Sequence, residues 1–240
     1  MMAERRSETA AGMAREIAGD ATRQGRGVFI TLEGVEGCGK STQLRRLAAG
    51  LRASGFAVRE LREPGGTAAG EAIREVLLDP GHAGLDARAE LLLYEASRAQ
   101  LVAEVIEPAL RAGEVVLCDR FYDSTTAYQG HARGLPAEEI ERLNAFATGG
   151  LAPDLTIVLD IDAAHGLERA TRASAGADRL EAEELGFHER VRQGFLAIAR
   201  AEPQRVLVVS AEGSPDDVAA RVWAAVVGST VLPGLRGPST

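Results

Sequence analysis

The residues best suited to chemistry lie in one short stretch, Gly34-Val35-Glu36-Gly37-Cys38-Gly39-Lys40-Ser41. Lys40 is the only lysine among 27 basic residues, and the remaining 26 are arginine. Where a generic positive charge suffices the chain carries Arg, and at this one position it does not. An ammonium is a compact point charge on a flexible stem, whereas a guanidinium is a wide planar fork. A loop that wraps a phosphate has room for the first. The spacing completes the pattern G-x-x-x-x-G-K-S/T, whose glycines let successive backbone N–H groups turn inward on an anion. In that reading Lys40 reaches the β- and γ-phosphates and the Ser41 hydroxyl ligates Mg²⁺.

Such a loop works only between a strand and a helix, and both are expected here. Residues 27–32 are apolar and β-rich, as in a buried parallel strand. Residues 42–54 carry Leu44, Leu47 and Leu51 at helical spacing, with Gly55 where a helix terminator belongs. Further strands are expected at 56–61, 115–118, 155–161 and 206–209, the first one covering 28–32. Helices are expected at 68–78, 86–111, 137–147 (with Pro136 at its first position), 163–173, 181–200 and 215–227. Strands alternating with helices imply a parallel sheet covered on both faces, with ligands beyond the carboxyl ends of its strands.

Four other clusters fall near such ends. Arg62-Glu63-Pro64-Gly65-Gly66-Thr67 follows the second strand and would put Arg62 and backbone amides over the crevice, although an ordinary turn also explains it. Asp119-Arg120 ends an apolar strand, where a carboxylate would share the magnesium with Ser41; a plain surface ion pair is the alternative. Tyr94 and Arg98 share a helical face and suit a flat hydrogen-bonding ligand, while on spacing alone core packing explains them better. Between Arg169 and Arg179, with Arg172, a small-residue run has the composition of a lid that closes arginines onto phosphates; a solvated helix end has it too.

Taken together and in this order, these motifs resemble the thymidylate kinase family over about residues 27–227. The carrying stretches are Glu33 to Thr42, Arg62 to Thr67, Asp119-Arg120-Phe121, Ser124-Thr125-Thr126-Ala127-Tyr128-Gln129-Gly130, Pro153-Asp154-Leu155 and Asp178-Arg179. The resemblance implies a P-loop kinase fold: a five-stranded parallel sheet with helices on both faces and a small lid at about 169–181. It implies a kinase domain at 26–227, between an N-terminal extension (1–25) expected to be disordered and a flexible tail (228–240). The activity implied is ATP-dependent phosphorylation of dTMP to dTDP.

The family's roles carry over residue by residue. Gly34, Val35, Glu36, Gly37, Cys38, Gly39, Lys40, Ser41 and Thr42 would bind the ATP phosphates, and Ser41 and Asp119 the Mg²⁺. Tyr94 would stack on thymine, where the family usually has Phe. Arg98 would donate to the base O4, and Thr125 or Ser124 would meet its N3 edge. Tyr128 would crowd the sugar 2′ position, Glu36 would orient the 3′-OH, and Arg120 would hold the dTMP phosphate with Arg62 and Arg74 nearby. Arg172, with Arg169 and Arg179, would stabilise the transferring phosphoryl, because the loop itself contains no arginine. Lys40, Arg120, Arg172 and Glu36 form the expected catalytic group. Cys38 places a thiol where a small apolar residue is usual.

Composition bounds the alternatives. A net charge of −8 argues against a general nucleic-acid binder, and no apolar stretch is long enough to span a membrane. The two cysteines, Cys38 and Cys118, do not look like a disulfide pair, so a reducing cytoplasm is expected. A homodimer is implied by the resemblance, with helix 86–111 as the candidate interface. The competing readings are a kinase on the same scaffold for another nucleotide or a nucleoside, and a nucleotide-driven switch. No Asn-Lys-x-Asp guanine-reading motif exists, since no second lysine is present to make one.

Overall fold

The computed structural model describes residues 26–173, 179–233 and 235. The expected N-terminal extension, the lid centre at 174–178 and residues 234 and 236–240 of the tail lie outside the described residues. The strands β1 (Phe29–Glu33), β2 (Val58–Arg62), β3 (Val115–Asp119), β4 (Leu155–Asp160) and β5 (Val206–Ser210) form one sheet in the order β2-β3-β1-β4-β5. Every pairing is parallel.

Alternation along the strands builds two cores. In β1 and β3, Ile30, Leu32, Val115 and Leu117 face one cluster, while Phe29, Val116 and Cys118 face the other. The first is closed by α1 (Lys40–Ala53) through Leu44, Leu47 and Leu51, by α8 (Leu185–Ala201) through Val191 and Phe195, and by α9 (Pro215–Gly228) through Val218 and Val222. The second is closed by Leu101, Ile106 and Leu110. Each such side chain contributes about 1.5–3 kcal/mol when fully withdrawn from water. Residues near the strand ends then share one edge: Leu32 pairs with Asp119, and Asp119 with Arg62.

The remaining helices frame that edge. They are α2 (Ala68–Leu78), α3 (Ala87–Leu101), α4 (Glu107–Arg111), α5 (Tyr122–Thr125), α6 (Ala137–Thr148) and α7 (Ala163–Ala173). The single helix expected at 86–111 is divided: Asp86 caps α3 through Arg88 N–H, and a π-helical turn, Val102–Ile106, separates α3 from α4. Pro108 explains the widening, because it offers no N–H and its ring displaces the carbonyl four residues back. Pro136 is extended and precedes α6 instead of opening it, and α8 starts at Leu185, four residues after the expected 181.

Residues 122–132, not expected to be helical, form α5 and a second π-helical turn, Thr126–Ala132. Tertiary packing holds this turn. Gly194 of α8 lies so close that a Cβ there would be 3.0 Å from Ala127 Cα. Part of the expected flexible tail is also anchored: Leu232 is buried in the larger core, with Val231 and Leu235 packed against it. Their apolar side chains outweigh the Gly and Pro around them.

Candidate active site

The loop between β1 and α1 is shaped by backbone. Gly37 has φ +66° and presses on α7, where a Cβ would be 1.9 Å from the Gly166 carbonyl oxygen. Gly39, at φ +96°, starts α1 without any side-chain cap, which leaves the first N–H groups of the helix for an anion. Lys40 is buried and donates to the carbonyls of Gly34 (3.1 Å) and Val35 (3.0 Å), with Cys38 Sγ at 3.5 Å. Thr42 is bonded through its backbone to Gly39.

Ser41 Oγ donates to Asp119 Oδ2 at 2.6 Å, so the two residues expected at the metal are neighbours. Two hard oxygens on the open side of the loop suit Mg²⁺, which takes few protein ligands and keeps phosphate and water oxygens. Among the described residues no group of three His, Cys, Asp or Glu could hold a metal by itself.

Arg120 joins this loop to the next site. It has φ +73°, uncommon for a residue with a side chain. Its Nη1 donates to the Gly34 carbonyl and to Ser124 Oγ, both at 3.1 Å, and its Nη2 to Glu36 Oε1 at 3.0 Å. Its guanidinium lies 5.0 Å from the Tyr128 ring centre. Glu33, at the end of β1, fixes the turn by accepting from Phe121 N–H (2.7 Å) and pairing with Ser124 Oγ (2.6 Å).

Three residues apart, Glu33 and Glu36 have opposite ionisation. Burial, reinforced by Asp123, pushes Glu33 up to about 8 despite Arg120. Burial would raise Glu36 too, but the His188 hydrogen bond, the charges of Arg120 and Lys40 and the Tyr128 hydroxyl hold it down at about 2. Glu36 is therefore an anion that accepts from Arg120, Tyr128 and His188.

Beyond Arg120 a narrow cleft is lined by Tyr94, Ser124, Thr125, Tyr128, Gln129 and Leu180. Thr125 Oγ1 is buried there without a partner among the described residues, whereas Ser124 Oγ is engaged by Glu33 and Arg120. Arg98 lies beneath, 1% exposed, bonded to Glu63 (2.9 Å), Glu95 (2.7 Å) and Asn144 (3.3 Å). Two buried carboxyls face this one guanidinium, and burial pushes Glu63 up to about 7 against the pull of Arg98. Arg62 pairs with Glu71 at 2.7 Å, and Arg74 donates to the Pro64 carbonyl at 2.9 Å, so both fasten the Pro-Gly-Gly turn. A wider cleft of about 570 Å³, lined by mostly exposed side chains including His131, Asp162 and Arg190, contains none of the expected residues.

The expected lid arginines are not gathered at the loop. Arg169 donates to the Ala211 carbonyl at 3.1 Å, and Arg172 pairs with Glu168 on its own helix. Arg179, expected among the phosphate ligands, is buried, donates to the Leu77 carbonyl at 2.8 Å and pairs with Glu90. Glu90 is wholly buried and also accepts from Gln129 and Arg133, so it attracts Arg179 more strongly than the open loop does.

Sequence reasoning missed Glu33, Glu63, Glu90, Glu95, Gln129, Asn144 and His188. Glu33 and Glu63 lie inside recognised motifs, adjacent to residues that were assigned roles. His188 had only one signal, being one of four histidines in the chain.

The thymidylate kinase family model matches residues 32–222. A thymidylate kinase of Deinococcus radiodurans is 57% identical over 200 residues, covering 83% of this chain and 96% of the relative. One from Solidesulfovibrio magneticus is 55% identical, covering 83% and 98%. The crystal structure of the thymidylate kinase from Ehrlichia chaffeensis superposes with a TM-score of 0.69 at 32% identity, over 83% of this chain and 98% of that one. With a loop, a bridging arginine and a second cleft in these places, and with relatives this similar over nearly their whole length, the chain belongs to the thymidylate kinase family.

Proposed function

We propose that the chain transfers the γ-phosphoryl group of ATP in line to a phosphate oxygen of dTMP, giving dTDP and ADP. The observation that carries this reading is Arg120, which touches the loop at the Gly34 carbonyl and the acceptor cleft at Glu36 and Ser124. A kinase needs a cation at that junction, because two polyanions must approach against Coulomb repulsion. The acceptor oxygen is already anionic, so no general base is required. Positioning and charge stabilisation supply the rate.

Lys40 would leave the carbonyls of Gly34 and Val35 for the phosphates, and the helix N-terminus would hold them. Ser41 and Asp119 would hold Mg²⁺, which when bound neutralises charge on the triphosphate. Tyr94 would cover the base, with Thr125 meeting its N3 edge because Ser124 is already occupied. Arg98 is fixed by Glu63 and Glu95 for the O4 side, and Tyr128 would exclude a 2′-hydroxyl. Glu36 would meet the sugar 3′-OH. Arg62 and Arg74 would turn from Glu71 and the Pro64 carbonyl to the acceptor phosphate, and Arg169 and Arg172 would swing from their present partners onto the transferring group.

A coupled assay for ADP release tests the reading, with dTMP, dUMP, dCMP, dGMP, UMP and no acceptor. Preference for dTMP with a negligible rate in its absence supports it. Equal ADP release without acceptor would replace it by a nucleotide switch.

A homodimer is supported by exposed apolar residues on three helices packed side by side: Val76 on α2, Leu92 on α3 and Phe146 on α6, the last 86% exposed. Phe146→Glu should then slow sedimentation to that of a monomer, and an unchanged value would refute the interface. A cytoplasmic setting is supported by two unpaired cysteines, Cys38 and Cys118. No helix among the described residues is long and apolar enough to cross a membrane.

A further inference from the structure

His188 is wholly buried in the first turn of α8, 152 residues from the loop in sequence, yet its Nδ1 lies 3.0 Å from Glu36 Oε2. Glu36 is ionised and can only accept, so Nδ1 carries the proton. The opposite nitrogen, Nε2, is buried and has no partner among the described residues. Phe187 packs edge-on against the imidazole, with ring centres 5.5 Å apart. An aromatic hydrocarbon would fill the same space without leaving a polar atom unsatisfied. What a hydrocarbon could not do is donate to Glu36.

The rest of the Glu36 shell explains why that donation matters. Arg120 Nη2 and the Tyr128 hydroxyl both converge on Oε1, which fully engages that oxygen. Among the described residues only His188 bonds Oε2, leaving that oxygen with accepting capacity for a further hydroxyl. Without His188 the carboxylate could turn about its last bond and present Oε2 elsewhere. The bond also ties α8, the helix that follows the lid segment, to the acceptor end of the loop.

We propose that His188 is a positioning residue for the acceptor: its Nδ1–H orients the Glu36 carboxylate so that Oε2 receives the sugar 3′-hydroxyl. This rests on the reading of Glu36 as the 3′-OH ligand. A lid arginine acts on the transferring phosphoryl, whereas His188 acts on the sugar through Glu36 and touches neither nucleotide.

The test compares dTMP with its 3′-deoxy analogue in wild type, His188→Phe, His188→Asn and Glu36→Gln, alongside thermal unfolding. His188→Phe keeps the ring and deletes the donor. It should raise KM for dTMP roughly tenfold, leave KM for ATP within about twofold, and change kcat/KM for the 3′-deoxy analogue by less than about threefold. His188→Asn retains a donor near the Nδ1 position and should recover most of the loss. Equal losses on both acceptors in His188→Phe, with the loss in Glu36→Gln confined to dTMP, would overturn the proposal alone. Equal losses on both acceptors in Glu36→Gln would remove the reading of Glu36 and the proposal with it. Should His188→Phe fold poorly, imidazole ¹⁵N spectra of the wild-type protein decide: a proton on Nδ1 is expected, and an Nε2–H tautomer would overturn it.

Discussion

The two halves of the site are built by different means. The donor loop uses backbone: glycine conformations, exposed N–H groups and a single lysine, all within eight consecutive residues. The acceptor cleft uses charged side chains drawn from distant segments, with Glu63 and Arg98 separated by 35 residues, Glu36 and Tyr128 by 92, and Glu36 and His188 by 152. The donor half can therefore lose a side chain and keep its shape. In the acceptor half the groups that recognise substrate also hold the interior together, so function and stability cannot be separated there.

Lys40→Ala tests the first half of that contrast and has the largest expected effect. It should lower kcat by at least about 10²-fold, while thermal unfolding shifts by only a few degrees. Near-normal turnover would refute the electrostatic account, and a collapsed fold would erase the contrast.

Arg98→Ala tests the second half. Removing the guanidinium leaves Glu63 and Glu95 buried without a counter-ion, which costs about 3–5 kcal/mol near pH 7. Use of dTMP should suffer far more than ATP binding. In this variant Glu63 is raised further above its unfolded value, so stability is fully present below about pH 4.5, where the unfolded carboxyl protonates, and is lost as pH rises. Calorimetry at pH 5 and pH 8 should show a smaller deficit at pH 5. The same deficit at both would mean that the carboxyls were not sensing Arg98.

Glu33→Gln sharpens the border between the halves. Burial holds Glu33 at about 8, so the folded protein keeps a proton that the unfolded chain releases from about 4.5. Wild-type stability from this group is complete below that range and declines as pH rises toward 8. Glutamine has no such decline, and as a neutral group whose oxygen still accepts from Phe121 N–H it imitates the protonated acid. The stability of the wild type relative to the variant should fall by up to about 1.4 kcal/mol per pH unit across the window. Parallel profiles would show that Glu33 is ionised in the folded state.

The same contrast explains what the sequence revealed. Phosphate binding by backbone is written contiguously, so Gly34 to Ser41, its strand and its helix were all legible, as was the parallel sheet from alternating apolar runs. The π-helical turn at Thr126–Ala132 was not, because packing against Gly194 holds it and local propensity does not. The pairing of Arg179 with Glu90 was not legible either, because Glu90 lies 89 positions earlier and no local pattern announces it. Glu33 and Glu36 are the same residue type in the same motif, and only their three-dimensional neighbours assign one a proton and the other a charge.

Lys40 is 8% exposed and bonded to two loop carbonyls. Because it is the only lysine, a lysine-specific endoprotease has one bond to cut, between Lys40 and Ser41 at the start of α1. That bond lies in the first turn of α1, so native cleavage waits on an opening that frees the loop and this turn, whether local or global. Without labels or substitutions, the protein carries its own reporter of loop occupancy, and a nucleotide seated on the loop would silence it.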